Sequence, residues 1–208
     1  MVNLAYTFSK VIDTVPDFTT VVPLTFDDAK MAQYGTAPNA DRGPGVNDQR
    51  HRVVTNFVWD LDYFGGVSSR ALRHLIGGWS LSGIILAQTG QPYSNAVGGD
   101  PNNDGNGRTD RVPGDGRNTN HAPTIANWDF RITKSIPIYE RLKLQLGLDA
   151  FNAFNQANFL AGDVRNGKYN FRFTAPSTFA FTPTTNFGTY ASQTLDNRIL
   201  QVSAKIVF

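Results

Sequence analysis

Residues 141–150 read RLKLQLGLDA. The even positions, Leu142, Leu144, Leu146, Leu148 and Ala150, are apolar, and they alternate with Lys143, Gln145, Gly147 and Asp149. Successive side chains of a strand point to opposite faces, so this period of two predicts a strand with one apolar and one polar face, and it fits no amphipathic helix. The run is long enough to cross a bilayer as a tilted strand, which takes about 9–11 residues.

The same pattern recurs along the chain. In residues 50–63 the odd positions His51, Val53, Thr55, Phe57, Trp59, Leu61 and Tyr63 oppose the largely polar Arg50, Arg52, Val54, Asn56, Val58, Asp60 and Asp62. Alternation also marks Val2, Leu4, Tyr6 and Phe8; Trp79, Leu81, Ile85 and Ala87; and Trp128, Phe130 and Ile132 against Asp129, Arg131 and Thr133. The last segment places Leu200, Val202, Ala204, Ile206 and Phe208 on one face. Six antiparallel strands are therefore expected, in an all-β chain. Composition agrees: aromatics are 12% of residues, with 19 Gly and 11 Pro to build turns.

Alternation by itself does not say which face meets water. A soluble sandwich buries the apolar face, and an outer-membrane barrel turns it towards lipid. The connections discriminate between these. Residues 13–49, 90–125 and 156–195 form long loops, and 64–78 and 136–141 form shorter ones, so long and short ends fall on opposite edges of the sheet. Barrels of the outer membrane have short periplasmic turns and long extracellular loops. On that reading Phe208 lies on the periplasmic side, and Trp59, Tyr63 and Trp79 sit where an aromatic girdle belongs. Six strands are fewer than the roughly eight of the smallest bacterial barrels. The chain, 1–208, is thus expected to be the C-terminal part of a larger barrel.

Other classes find little support. A net charge of +2 with scattered Lys and Arg lacks the basic stripe of a nucleic-acid binder. The absence of cysteine excludes a disulfide scaffold and thiolate metal sites. The N-terminal residues do not form a secretory signal, and no run of about 18 apolar residues offers a spanning helix. His51, His74 and His121 lie far apart, without HExxH, GxSxG or a glycine-rich phosphate loop, so no enzyme is expected.

Two clusters could carry binding. DPNNDGNGRTD (100–110) offers oxygens at Asp100, Asn102, Asp104, the Asn106 carbonyl and Asp110 in the order of a calcium loop. Its twelfth position, where a bidentate Glu is required, holds Arg111, and the same residues serve as a Gly/Asn/Asp turn cluster in an exposed loop. The second cluster is Asp48, Arg50, His51 and Arg52, readable as a rim contact for a ligand or as mutual ion pairs. FNAFNQANF (151–159) reads either as a sugar-stacking platform or as a strand end with Asn-rich turn chemistry. The inward groups Asp129, Arg131, Lys143 and Asp149 would line a lumen.

The order of DRGPGVNDQRHRVVTNFVWDL, GGWSLSGIILAQTGQPYS, DPNNDGNGRTDRVPGDGRN, NWDFRITKSIPI and ERLKLQLGLDAFNAFNQANF, followed by a terminal strand ending in Phe, resembles the C-terminal barrel of Oar-like TonB-dependent receptors. The resemblance covers residues 41–208, and GWSLSGIILAQTGQPYS and DAFNAFNQANF carry it most specifically. It implies a 22-stranded outer-membrane barrel closed by an N-terminal plug, with uptake of an extracellular substrate driven through TonB. The plug and the carboxypeptidase-like regulatory domain of that family are absent from these residues. It also implies that Leu200, Val202, Ala204, Ile206 and Phe208 form the signal read by the barrel-assembly machinery. The rival expectation is a secreted or surface β-sandwich binding carbohydrate or calcium; a hydrolase on a β scaffold is the third.

Overall fold

Where the sequence alternates, the chain is extended. The computed structural model describes residues 1–14, 33, 36–61, 69–95, 97–103, 110–159, 164–165, 169–174, 178–183, 189–190 and 196–208. Six long strands, β1 (Val2–Phe8), β2 (His51–Asp60), β3 (Trp79–Gln88), β4 (Ile125–Tyr139), β5 (Leu142–Phe151) and β6 (Ile199–Val207), pair in chain order as one antiparallel meander. Every neighbour in the sheet is thus a neighbour in sequence, which needs only hairpin-type connections. The sheet is open: β1 and β6 are its edges.

Cross-strand partners share a face, so the register defines the two surfaces. One row runs Trp59, Leu81, Ile132, Leu148, Val202; the next runs Val2, Phe57, Gly83, Phe130, Ala150, Leu200. These rows are the apolar face, and among the described residues no second layer covers them. Leu4, Trp59, Ile132, Leu148 and Val202 are all exposed, and the buried apolar side chains among the described residues are only Val97, Ala122 and Ile125. A sandwich would lay a second sheet over this face; among the described residues there is none, and the sandwich expectation fails on that point. In water each large side chain left bare would forgo about 2 kcal/mol of burial. In lipid the same surface is the stable one.

Two expectations are corrected. The turn between β4 and β5, expected over 136–141, is only Glu140 and Arg141, because β4 extends to Tyr139. A bulge there lets β4 carry one extra residue, with Lys143 opposite Pro137 and Leu142 opposite Tyr139. The extra residue reverses parity and brings Tyr139 to the apolar face. Second, the connection between β2 and β3, expected to be a plain loop, contains a helix, α1 (Arg70–Ile76), started by Ser69, whose Oγ accepts the Leu72 N–H.

The outer connections pair into short ladders. Ile12–Asp13 joins Gly43–Pro44, Pro92–Tyr93 joins Asn120–His121, and Val97–Gly98 runs parallel to Tyr169–Asn170 of a further hairpin, Tyr169–Thr174 with Thr178–Pro183.

Candidate functional site: the polar wall and the loop layer

The polar face of the sheet carries the chemistry. Arg131 and Asp149 sit opposite each other on β4 and β5 and form a two-pronged ion pair, Nε to Oδ1 at 2.7 Å and Nη2 to Oδ2 at 3.2 Å. Asp129, one step outward on the same face, accepts the Asn127 amide at 2.9 Å and the Asn152 backbone N–H at 2.8 Å. Three concavities follow one another from the outer end to the inner. The first, about 280 Å³, includes Asp129, Asn152 and Asp196. A middle one of about 500 Å³ is lined by Asn56, Arg131, Asp149 and Gln201 together with the apolar Val58, Ile84 and Phe151. The third, about 290 Å³, is lined by Thr133, Gln145, Ser203 and Lys205. The inward groups expected to line a lumen are therefore on one surface, with carboxylates towards the outside and Lys205 towards the inside.

Aromatic side chains bound the opposite, apolar face at both ends. At the outer end the Tyr6 hydroxyl bonds His51 Nδ1 at 2.8 Å, Phe8 packs on His51, and Phe154 sits edge-on to Trp128 at 5.5 Å between centroids. Trp59, Trp79 and Tyr139 mark the inner end, and all three are exposed; Tyr63, expected with them, lies outside the described residues. From Trp128 to Tyr139 the strand covers about 35 Å, which at a tilt near 45° is about 25 Å of depth, the height of an outer-membrane apolar band. Sequence reading found the inner girdle and missed the outer one, whose members are scattered over three strands and a turn.

Above the outer girdle the connections fold on buried polar groups. Asp41, with no exposed surface, accepts the Gln33 N–H at 2.6 Å and pairs with Arg111. Arg117, also buried, donates to the carbonyls of Asp13 (3.0 Å) and Asp41 (3.2 Å) and pairs with the Asp13 carboxylate. Asn118, at φ 54°, bonds the Pro44 carbonyl and Ser94. Asp48 holds the Val11 N–H and Arg50, both at 2.8 Å. Within the cluster Asp48, Arg50, His51 and Arg52, Asp48 and Arg50 pair together and His51 belongs to the girdle.

The candidate calcium loop is anchored to this layer. Asn102 donates its amide to the Gln33 carbonyl at 2.7 Å, Asp100 accepts the Asn103 N–H at 3.3 Å, and the buried Asp110 holds the Val97 N–H on its carbonyl at 2.8 Å. Asp104 and Asn106 lie outside the described residues. Among the described residues no three His, Cys, Asp or Glu side chains gather as a metal cluster. Arg111, in the position a bidentate Glu would need, is spent on Asp41.

FNAFNQANF is a clasp at the strand end. Asn152, at φ 46°, bonds the Gln156 N–H and the carbonyls of Gln156 and Asp196. Asn158, fully buried, bonds both the N–H (2.8 Å) and the carbonyl (3.0 Å) of Ala126, as a strand neighbour would. Leu200, Val202, Ala204 and Ile206 all lie on the exposed apolar face of β6, with Phe208 just beyond it at 96% exposure.

One antiparallel wall with an apolar face towards lipid, a polar face towards the interior and an aromatic girdle at each end defines a β-barrel protein of the outer membrane. The chain belongs to the outer membrane beta barrel domain family, whose profile matches residues 1–124 and 114–201. Its place is the outer membrane of a Gram-negative bacterium. No curated protein and no solved structure matches the chain.

Proposed function

We propose that this chain is the C-terminal barrel segment of a TonB-dependent receptor, a transport protein rather than an enzyme. The observation that carries this reading is the succession of concavities along the inner face, whose charged and polar groups run from Asp129 and Asp196 through Arg131 and Asp149 to Ser203 and Lys205. A wall that served only as an anchor would need no such succession of concavities with charged groups in each. The resemblance of GWSLSGIILAQTGQPYS and DAFNAFNQANF to Oar-like receptors supports the finer assignment. On this reading the outer loops capture an extracellular substrate, a plug supplied by other residues fills the lumen, and TonB moves the plug. The barrel-assembly machinery reads Leu200, Val202, Ala204, Ile206 and Phe208.

The test uses an antibody to the exposed loop at residues 113–116 on isolated outer membranes. The expected antigen is a polypeptide well above 22.9 kDa that is retained by an immobilised periplasmic domain of TonB. An antigen that is not retained, or one of 22.9 kDa, would remove the TonB assignment while leaving the barrel intact.

A further inference from the structure

Helix α1 is fastened to the wrong side of the wall for a plain periplasmic turn. Lys134 lies opposite Trp79 and Leu146, so its side chain leaves the sheet on the apolar face. It is nevertheless only 8% exposed. Its Nζ donates to the carbonyls of His74 (2.7 Å), Leu75 (3.0 Å) and Gly77, which are the groups a helix leaves unpaired at its C-terminal end. It also stands 5.0 Å over the Trp79 ring, and the Trp79 indole N–H donates to the Leu75 carbonyl at 3.1 Å. A lysine that would be costly bare against lipid is thus used to hold a helix end against the outer surface of the barrel.

The chain turns from helix to strand at Gly78, φ 70°, whose Cβ would stand 2.5 Å from the Ser135 carbonyl oxygen if it had one. That close approach draws the helix down on β4, where the Ser135 N–H bonds the Gly78 carbonyl at 2.8 Å. At the level of the inner girdle, on the lipid-facing side, α1 leaves Leu72 45% and Leu75 69% exposed. The connection 61–78 contains Arg70, Arg73 and His74, and its one carboxylate, Asp62, precedes the helix.

We propose that α1 is an interfacial foot that binds the phospholipid headgroup layer of the periplasmic leaflet, with Leu72 and Leu75 at the acyl boundary and the positive charge of the two arginines in its sequence drawing it to the anionic surface. The occupant follows from continuity and charge. The face on which the foot lies is the face that meets lipid, and at the depth of Trp59 and Tyr139 that lipid presents its headgroups. A short helix with leucines and basic residues but no acid is what an anionic interface retains. The foot rests on the barrel assignment and not on TonB.

These residues contain no cysteine; with any cysteine elsewhere in the outer-membrane polypeptide replaced by Ser, single nitroxide labels can be placed at Leu75→Cys, Val202→Cys and Asp115→Cys and read in phosphatidylethanolamine/phosphatidylglycerol vesicles. Collision with oxygen reports lipid, and collision with a water-soluble nickel chelate reports solvent. The expected result is a Leu75 label shielded from nickel and reached by oxygen, shallower than the Val202 label and clearly distinct from the Asp115 label. With Arg70→Gln and Arg73→Gln added, nickel access at Leu75 should rise several-fold, since each basic residue near an anionic surface is worth about a fivefold preference, with no change at Val202. A Leu75 label as nickel-accessible as Asp115, while Val202 stays in lipid, overturns the foot and leaves the barrel standing. Shielding from both reagents means that protein covers the helix, and it overturns the lipid assignment. If Val202 is itself nickel-accessible, the barrel reading falls and the foot with it.

Discussion

On the wall Val202 is 81% and Leu4 69% exposed, whereas in the layer of outer connections Asp41, Asp48 and Asp110 have no exposed surface. The two regions keep opposite kinds of group from water because they face different solvents. Lipid accepts side chains that water rejects, so the wall needs no protein core, and its backbone is satisfied strand to strand. The outer connections stand in water with no bilayer to rest on. They gain order from carboxylate, guanidinium and amide groups that tie distant segments together: Asp13 to Arg117, Asp41 to Arg111, and Gln33 to Asn102. Stability in the wall is repetitive and tolerant of apolar exchange; stability in the loop layer is concentrated in a few bonds.

That difference is broken most severely at Arg111. Replacing it by Ala leaves Asp41 buried and unpaired, a change that costs about 3–5 kcal/mol at buried pairs. The expected outcome is rapid protease cleavage of the outer connections on intact cells, with the wall still migrating as a folded, heat-modifiable band. Removing both charges together, as Asp41→Leu with Arg111→Met, should restore much of the resistance, because the desolvated charge disappears with its partner. Cleavage at the wild-type rate in Arg111→Ala would mean that the pair does not organise the layer.

On the wall the corresponding test is a charge on the lipid side. Leu148→Arg lies mid-band, opposite Ile132 and Val202, and should destabilise the barrel by about 2–4 kcal/mol. Gln145→Arg, on the polar face beside Ser135 and Lys205, should cost little. Urea unfolding from vesicles distinguishes the two faces directly, and equal losses at both positions would contradict the assignment of lipid and lumen.

The junction between the regions should yield a smaller effect. Asn158→Ala removes both bonds to Ala126 and leaves that backbone short of a partner where β4 begins, a loss of about 1–3 kcal/mol. Faster amide exchange confined to residues 125–128 is expected; unchanged exchange there would show that water replaces the side chain.

How much of this was readable beforehand follows the same division. Leu142 to Leu148 and Leu200 to Ile206 announce their strands because a membrane wall enforces period two without interruption, and pairing in chain order then needs no further information. Lys134 shows the limit. In sequence it is one polar residue in an apolar row, and its reason, the carbonyl end of α1, is distant along the chain. Leu72, Leu75 and Ile76 at helical spacing were the available signal for that helix, in a segment short enough to pass as a turn. Tyr139 was hidden by a one-residue bulge, which parity counting does not survive. The loop layer was least legible. Asp41, Arg111 and Arg117 carry no spacing that names their partners, and a sequence-local motif, DPNNDGNGRTD, drew attention to calcium while its neighbour Arg111 was committed elsewhere.

The smallest effect is expected where the wall resembles an ordinary protein core most closely. A Cβ on Gly83 would stand 2.7 Å from a Phe130 ring carbon and 2.8 Å from one of Phe57, so the two rings, 6.3 Å apart, close over the glycine and fill the gap it leaves in the sheet face. In a packed interior, overfilling such a site costs about 1–3 kcal/mol. Here both rings border lipid and can swing outward without losing an apolar environment, so Gly83→Ala should cost no more than about 1 kcal/mol, the low end of that range. Unfolding in vesicles measures it. A loss matching the full core penalty would mean that the Phe57–Gly83–Phe130 row is covered by protein, and that the contrast between a lipid-supported wall and a polar-supported loop layer does not hold along its middle strands.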